Sequence, residues 1–291
     1  MEKRPLGKTS ETLSLVGFGG MILMDEEPAA AARLVAQAVE RGINYFDVAP
    51  LYGNAEERLG PALEPYRKAV FLACKTHARS RDGAWAELRR SLQRLRTDYL
   101  DLYQLHEMLT LGEVDLVTRA GGALEAFVEA RRQGLVRYLG FSAHSEEAAL
   151  ALLDRFDFDT VLFPVNYVLW HQGNFGPAIM ARAQEKGAAR LAIKALAKRP
   201  WVPGEARPWP KCWYSPVDTP EEAALALRFT LSRPVTAAVS PSYARFLWWA
   251  CDVADRFQPL TPEEEAEVAR RSAGLRPILP DEAAQSAPPE A

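Results

Sequence analysis

The feature that most constrains this chain is an alternation of short apolar runs with amphipathic stretches, repeated eight times after residue 15. The runs Val16–Gly19, Asn44–Asp47, Val70–Lys75, Leu100–His106, Val136–Ser142, Thr160–Pro164, Arg190–Lys194 and Val235–Ser240 read as strands. Between them Pro28–Arg41, Ala55–Leu63, Asp82–Arg96, Gly122–Gln133, Ser145–Phe156, Ala178–Lys186 and Pro220–Leu231 read as helices. In Asp82–Arg96, for example, Trp85, Leu88, Leu92 and Leu95 share one face. Strict alternation implies a parallel sheet, and eight units favour a closed (β/α)8 TIM barrel over an open doubly wound sheet. Arg4–Val16, with turn formers from Gly7 to Ser10, reads as an N-terminal β-hairpin, and Ser242–Phe257 and Pro262–Ser272 as extra C-terminal helices. Residues 1–279 are expected to form one barrel domain. The Pro/Ala/Glu-rich stretch 280–291 is expected to be a disordered tail.

Charge and cysteine usage narrow the function classes. With 35 basic and 38 acidic residues the net charge is -3, which gives no electrostatic case for nucleic acid or an anionic membrane as main partner. No apolar run approaches the ~20 residues of a membrane span, and the opening MEKRPLGKTSETLSL lacks a secretory apolar stretch. Cys74, Cys212 and Cys251 are too far apart to read as a metal site or a disulfide framework, so a reduced, cytoplasmic protein without metal is expected. Oligomeric state is not legible.

In a barrel, polar residues at the C-terminal ends of strands meet at one mouth. Asp47, Lys75 and His106 each close an apolar run (INYFD, VFLACK, DLYQLH), and Tyr52 follows Asp47 in its loop. Singly, each has a bland reading: a turn aspartate, a packed aromatic, a snorkelling lysine, a satisfied core histidine. Together they make one chemistry. A tyrosine hydroxyl is a poor acid at neutral pH, a neighbouring ammonium lowers its pKa, and an aspartate holds that ammonium in place. The histidine can donate to a substrate carbonyl, and Tyr52 can protonate that oxygen as a hydride reaches the carbon. A small carbonyl compound is the expected substrate.

On these residues, and on the strings RPLGKTSETLSLVGFGGM, GINYFDVAPLYGNAEERLG, FLACKT, SLQRLRTDYLDLYQLH, QGLVRYLGFSAHS and PVNY, the chain resembles the aldo-keto reductase family. The resemblance covers roughly the first 170 residues. It implies a barrel plugged at its base by the hairpin, a nicotinamide cofactor across the mouth, no metal, and the catalytic tetrad Asp47, Tyr52, Lys75 and His106. It further implies cofactor contacts at Gly20, Met21, Asp47, Ser142 and Asn166. GFGG at 17–20 lacks G-x-G-x-x-G spacing and does not support a Rossmann turn. The chain departs from the family pattern where Ala143 replaces a common Asn, Leu162 a usual Gln, and Ile193 and Lys194 a stacking Tyr. Lys194 either approaches the cofactor pyrophosphate or is solvated. In SPSYARFLWWA, Ser240 and Arg245 resemble the grip on an adenosine 2′-phosphate, although Val239 and Trp249 stand where Lys and Asn are frequent. Arg245 thus favours NADPH over NADH, the alternative being a surface helix charge.

The Pro/Trp-rich stretch 197–218 reads as a long loop whose Trp201, Trp209, Trp213 and Tyr214 either cover the site or pack the loop down. Trp170 and His171, in another loop after a strand, are candidates for the substrate pocket, whereas His144 and His77 read as local caps or packing. The expected activity is NADPH-dependent reduction of an aldehyde or ketone by direct hydride transfer. A rival of another class is a nicotinamide-binding sensor with little turnover, docking through an aromatic patch such as Trp248 and Trp249. A barrel lyase without nicotinamide is a third reading.

Overall fold

The computed structural model describes residues 1–279; the stretch 280–291, expected as a tail, lies outside the described residues. The chain opens with an antiparallel hairpin, β1 (Lys3–Pro5) and β2 (Thr12–Ser14), joined through the turn formers seen in the sequence. The strands β3 (Val16–Gly19), β4 (Tyr45–Asp47), β5 (Phe71–Thr76), β6 (Leu100–Met108), β7 (Val136–Ala143), β8 (Thr160–Pro164) and β9 (Ala189–Ile193) follow in order. A short antiparallel ribbon, β10 (Ala197–Pro200) and β11 (Tyr214–Pro216), precedes the last barrel strand, β12 (Ala237–Val239). Strands β3 to β9 pair in parallel with their sequence neighbours, and β12 closes the ring between β9 and β3. The expected eight-stranded barrel is therefore present.

The helices surrounding the barrel are α1 (Pro28–Glu40), α2 (Ala55–Leu63), α3 (Arg81–Arg94), α4 (Leu111–Thr118), α5 (Ala123–Arg132), α6 (Glu146–Arg155), α7 (Tyr167–Gln172), α8 (Pro177–Glu185), α9 (Pro220–Ser232), α10 (Ala244–Ala254) and α11 (Pro262–Ser272). Their starts are set by side-chain caps. Ser80, Ser145 and Thr219 accept the backbone N–H three residues on, and Thr261 forms a reciprocal capping box with Glu264. Two helices and the ribbon depart from the sequence reading. Helix α4 follows β6 directly, and α7 takes up Trp170 and His171, which were expected in a loop. The stretch 197–218 is not a simple loop, because Ala197 and Pro200 pair with Pro216 and Tyr214.

Two apolar layers hold the barrel. The larger lies between strands and helices, while a smaller one fills the interior with Leu6, Leu13, Tyr45, Phe71, Leu102, Leu162, Leu191 and Val239. Strand side chains alternate between these layers, so inward positions recur every second residue. Along β5 the inward series is Phe71, Ala73, Lys75; along β6 it is Leu102, Gln104, His106. Each series is apolar at the base and polar at the C-terminal mouth. The hairpin closes the base: Leu6 and Leu13 enter the inner core, and Arg4 donates to the Leu231 and Val235 carbonyls at 3.0 and 2.9 Å. Among the described residues no helix is long and apolar enough to cross a membrane.

Candidate active site

The inward series ends in a cleft at the C-terminal mouth, enclosing about 1090 Å³ with its open side included. Asp47, Tyr52, Lys75 and His106 all line it. Asp47 and Lys75 are 3% and 1% exposed, so neither charge is left to water, and the Lys75 ammonium bonds directly to Asp47 Oδ1. Asp47 Oδ2 accepts from the Tyr45 hydroxyl at 3.1 Å and from Gln104 Nε2 at 2.9 Å, which fixes the carboxylate plane. Tyr52 is half-buried; Lys75 Nζ lies 5.4 Å from the centre of its ring, and the His106 ring meets it edge-on at 5.8 Å.

The electrostatics differ in one respect from the sequence expectation. Burial is the largest influence on the Tyr52 phenol and raises its pKa; Lys75 lowers it, but not enough to reverse the shift. The Asp47 charge beside the phenol adds to the effect of burial. For Lys75 itself burial disfavours the ammonium, but Asp47 and Tyr52 outweigh it and the net shift is upward. The His106 imidazole is pushed well below its ordinary value, first by burial and then by Lys75, so it is neutral at physiological pH. Its Nδ1 is buried without a partner. The site therefore holds a protonated phenol, a paired ammonium and a neutral imidazole.

The backbone at the mouth is tightly drawn. A Cβ on Gly19 would sit 2.2 Å from the Ser240 carbonyl oxygen, so only glycine lets the ends of β3 and β12 approach this closely. Gly19 N–H donates to Ser240 Oγ at 3.1 Å, leaving that hydroxyl its own proton to donate. Glu107, near the C-terminal end of β6, and Lys194, just after β9, have φ of 57° and 60°, the left-handed region that non-glycine residues adopt at a cost. Arg79 supports the first of these: its Nη2 donates to the His106 carbonyl at 2.9 Å while pairing with Glu113 at 2.8 Å.

Most of the other expected residues also reach the cleft. Gly20, Met21, Ser142, Lys194 and Ser240 line it. Ser142 Oγ accepts from Glu107 N–H at 2.8 Å. Asn166 is buried just behind, capping α7 through Oδ1 while its Nδ2 has no partner. Arg245 is not among the lining residues; its guanidinium is stacked 4.7 Å from the Trp249 ring centre and 5.7 Å from that of Trp209, with no ion pair among the described residues. Trp170 is not brought to the cleft. It belongs to α7, where its ring packs edge-on against Phe229 at 6.1 Å and lies under the Arg233 guanidinium, so it serves the outer layer.

Sequence reading missed several lining residues. Glu107, His144, Lys211 and Cys212 were not singled out for the site, and His144 was expected only to cap or pack. Lys211 secures the excursion that carries β10 and β11, donating to the Met24 carbonyl at 2.5 Å and pairing with Glu26 at 3.3 Å. Of the tryptophans in that excursion, Trp201 donates to the Cys212 carbonyl and Trp209 packs on Tyr243 and Phe246, whereas Trp213 and Tyr214 line the cleft. The position of His144 one residue after a barrel strand was the available signal.

Comparison with known proteins agrees with this architecture. The sequence matches the model of the Aldo/keto reductase family over residues 15–205. It is 38% identical over 157 residues to an uncharacterized oxidoreductase of Bacillus subtilis (strain 168), the match covering 49% of each chain. It is 29% identical over 184 residues to an L-galactose dehydrogenase of Arabidopsis thaliana, covering 57% of this chain and 56% of that one. The matches thus span about half the length of these curated relatives. Among solved structures, the holo form of an aldo-keto reductase from Bacillus halodurans superposes with a TM-score of 0.75 at 26% identity, covering 96% of this chain and 98% of its own.

Proposed function

Because the chain belongs to the aldo/keto reductase family, we propose that it reduces an aldehyde or ketone to an alcohol with NADPH, Tyr52 supplying the proton. The observation that carries this reading is the buried Asp47–Lys75 pair beside the Tyr52 phenol and a neutral His106, all on one cleft. A proton donor must start protonated, and burial keeps the Tyr52 hydroxyl in that state at neutral pH. Lys75 offsets part of that burial and steadies the phenolate left after transfer. Asp47 fixes the ammonium, and Tyr45 and Gln104 fix Asp47. A neutral His106 donates to the carbonyl oxygen, aligning it and easing the charge that gathers there.

The residues present fit a nicotinamide dinucleotide phosphate. Asn166 Nδ2 is a buried donor still lacking an acceptor, which a carboxamide oxygen would supply, and Ser142 stands at the neighbouring strand end. Lys194 would face the diphosphate. Arg245, flanked by two indoles and without an ion pair among the described residues, suits the 2′-phosphate, with the Ser240 hydroxyl as a further donor. When bound, the nicotinamide supplies the hydride. The free, buried thiols Cys74, Cys212 and Cys251 support a reducing, cytoplasmic setting. Exposed Leu51 and Trp213 give the cleft an apolar rim for the substrate.

Trp248 and Trp249, the patch that suggested a docking sensor, are each partly buried, and Trp249 is engaged by Phe246 and Arg245. The deciding experiment compares the parent with Tyr52→Phe on a panel of aldehydes and ketones. Expected is turnover by the parent, a loss of about 10²–10⁴ in kcat in the variant, and unchanged NADPH binding by fluorescence. Normal turnover by the variant, or none by the parent, overturns the reading.

A further inference from the structure

Beside the tetrad, the ends of β6, β7 and β9 bring Glu107, His144 and Lys194 together on the cleft wall. His144 Nδ1 lies 3.5 Å from Glu107 Oε1, and its Nε2 touches Lys194 Nζ. A neutral imidazole has one donor and one acceptor nitrogen. With its proton on Nδ1, toward the carboxylate, Nε2 is left to accept an N–H of Lys194. Burial keeps His144 neutral, taking its pKa down to about 4. Of the lysines lining the cleft, Lys75 is paired with Asp47 and Lys211 with Glu26. Lys194 is buried too, but its neighbours are His144 and the Trp213 ring, centred 4.7 Å from Nζ, and no carboxylate pairs with it among the described residues.

An ammonium withdrawn from water without a counter-ion gives up its proton. Burial lowers Lys194 from 10.5 to about 7, with distant Glu107 opposing. Half of the amine is then neutral at pH 7, where an ordinary lysine is neutral in only about one part in 10³. A neutral amine in a carbonyl-binding cleft is a nucleophile.

We propose that Lys194 is an imine-forming amine that reversibly captures aldehydes in the cofactor-free cleft. The nitrogen lone pair forms a bond to the carbonyl carbon, the carbonyl π pair moves to oxygen, and that oxygen takes a proton from the nitrogen, giving a carbinolamine. The hydroxyl then leaves as water while the second nitrogen proton is lost and C=N forms. Amine and aldehyde become imine and water, and nothing is oxidised or reduced. His144 Nε2, holding one N–H, turns the lone pair away from itself. The inference rests on the carbonyl-reducing reading only for the class of electrophile. Its consequence is that high aldehyde, in the absence of cofactor, closes the enzyme covalently.

The test treats the cofactor-free full chain with butyraldehyde and sodium cyanoborohydride at pH 7, then maps alkylated lysines by peptide mass spectrometry. Expected is alkylation of Lys194 at least ~10-fold faster than at exposed Lys3 and Lys68, given the larger neutral fraction. Trp213→Ala, which returns Nζ toward water, should slow alkylation of Lys194 toward that of the exposed lysines, and Lys194→Arg should lose that adduct while leaving the other sites unchanged. Alkylation of Lys3 and Lys68 ahead of Lys194 in the parent overturns the proposal. Labelling needs no turnover, so an enzyme that reduces aldehydes but leaves Lys194 unlabelled sinks only this inference. A labelled protein without turnover sinks only the proposed function.

Discussion

Replacing Asp47 by Asn isolates what the buried ion pair contributes. The change is nearly isosteric, and the new carbonyl can still accept from Tyr45 and Gln104, which now reach Oδ2 at 3.1 and 2.9 Å. What it removes is the charge opposite Lys75, and in its place an amide N–H faces the ammonium. Lys75 is 1% exposed and Asp47 is its ion-pair partner, with the Val48 carbonyl as the remaining acceptor at 3.3 Å. Removing one partner of such a pair costs about 3–5 kcal/mol. In a chain of this size each kcal/mol lowers Tm by about 2–4 °C, so a drop on the order of 10 °C is expected at pH 7. The cost should also depend on pH. In the parent the folded-state pKa of Lys75 is raised, so its contribution is present below the unfolded value and lost as pH rises through the folded one. In the variant burial, the largest influence on Lys75, loses its main opponent; the folded pKa is expected to fall below the unfolded value, and the penalty fades as the unfolded lysine also loses its proton. The gap between parent and variant should therefore narrow between about pH 7 and about pH 10. Thermal unfolding followed by circular dichroism across that range measures it. A gap below about 2 °C at pH 7, or one that does not change with pH, would refute the account.

The same geometry sets other expectations. Arg245→Ala should raise KM for NADPH about 10- to 100-fold, as loss of one charge-assisted contact of about 1.5–3 kcal/mol, and leave KM for NADH unchanged; equal effects on both cofactors would remove Arg245 from the 2′-phosphate. Because burial and Lys75 hold the His106 pKa well below 6.5, kcat/KM should stay level as pH falls through that value. A half-loss centred near 6.5 that vanishes in His106→Gln would show an ordinary, exposed imidazole instead. Gly19→Ala places a Cβ 2.2 Å from the Ser240 oxygen and should cost about 1–3 kcal/mol by urea unfolding, whereas an unchanged midpoint would mean that β3 and β12 can part freely.

Much of this site could be read before any coordinates, because the inward period of two is written in the sequence. Lys75 follows Ala73 and Phe71, and His106 follows Gln104 and Leu102, so the switch from apolar base to polar mouth was visible along each strand. The misses have local causes. Helix α4 carries its own start signal, Thr110 capping Glu113 N–H, but its 8 residues are too few to show a clear apolar period. Asn166 drew attention as a cofactor residue, and its second role, capping the short helix that carries Trp170 away from the cleft, went unseen. The β10–β11 ribbon pairs residues separated by a long excursion, and pairing over such a span leaves no period to detect. The direction of the Tyr52 shift is set first by how deeply the phenol is buried, which residue types do not contain.

The way the ring is closed has a consequence for how the chain reaches this state. Val16 of β3 lies beside Ala238 of β12, and Arg4 bonds to carbonyls 227 and 231 residues away. Contacts of such separation form late and slowly, since a long loop must be closed before they give anything back. On a ribosome the earliest barrel strand would therefore wait, one edge bare, for nearly the whole chain to emerge. Until β12 inserts, β3 and β9 each present unpaired backbone to any passing strand. The same closure that gathers the mouth residues into one cleft thus makes assembly the most aggregation-prone interval in the life of this protein.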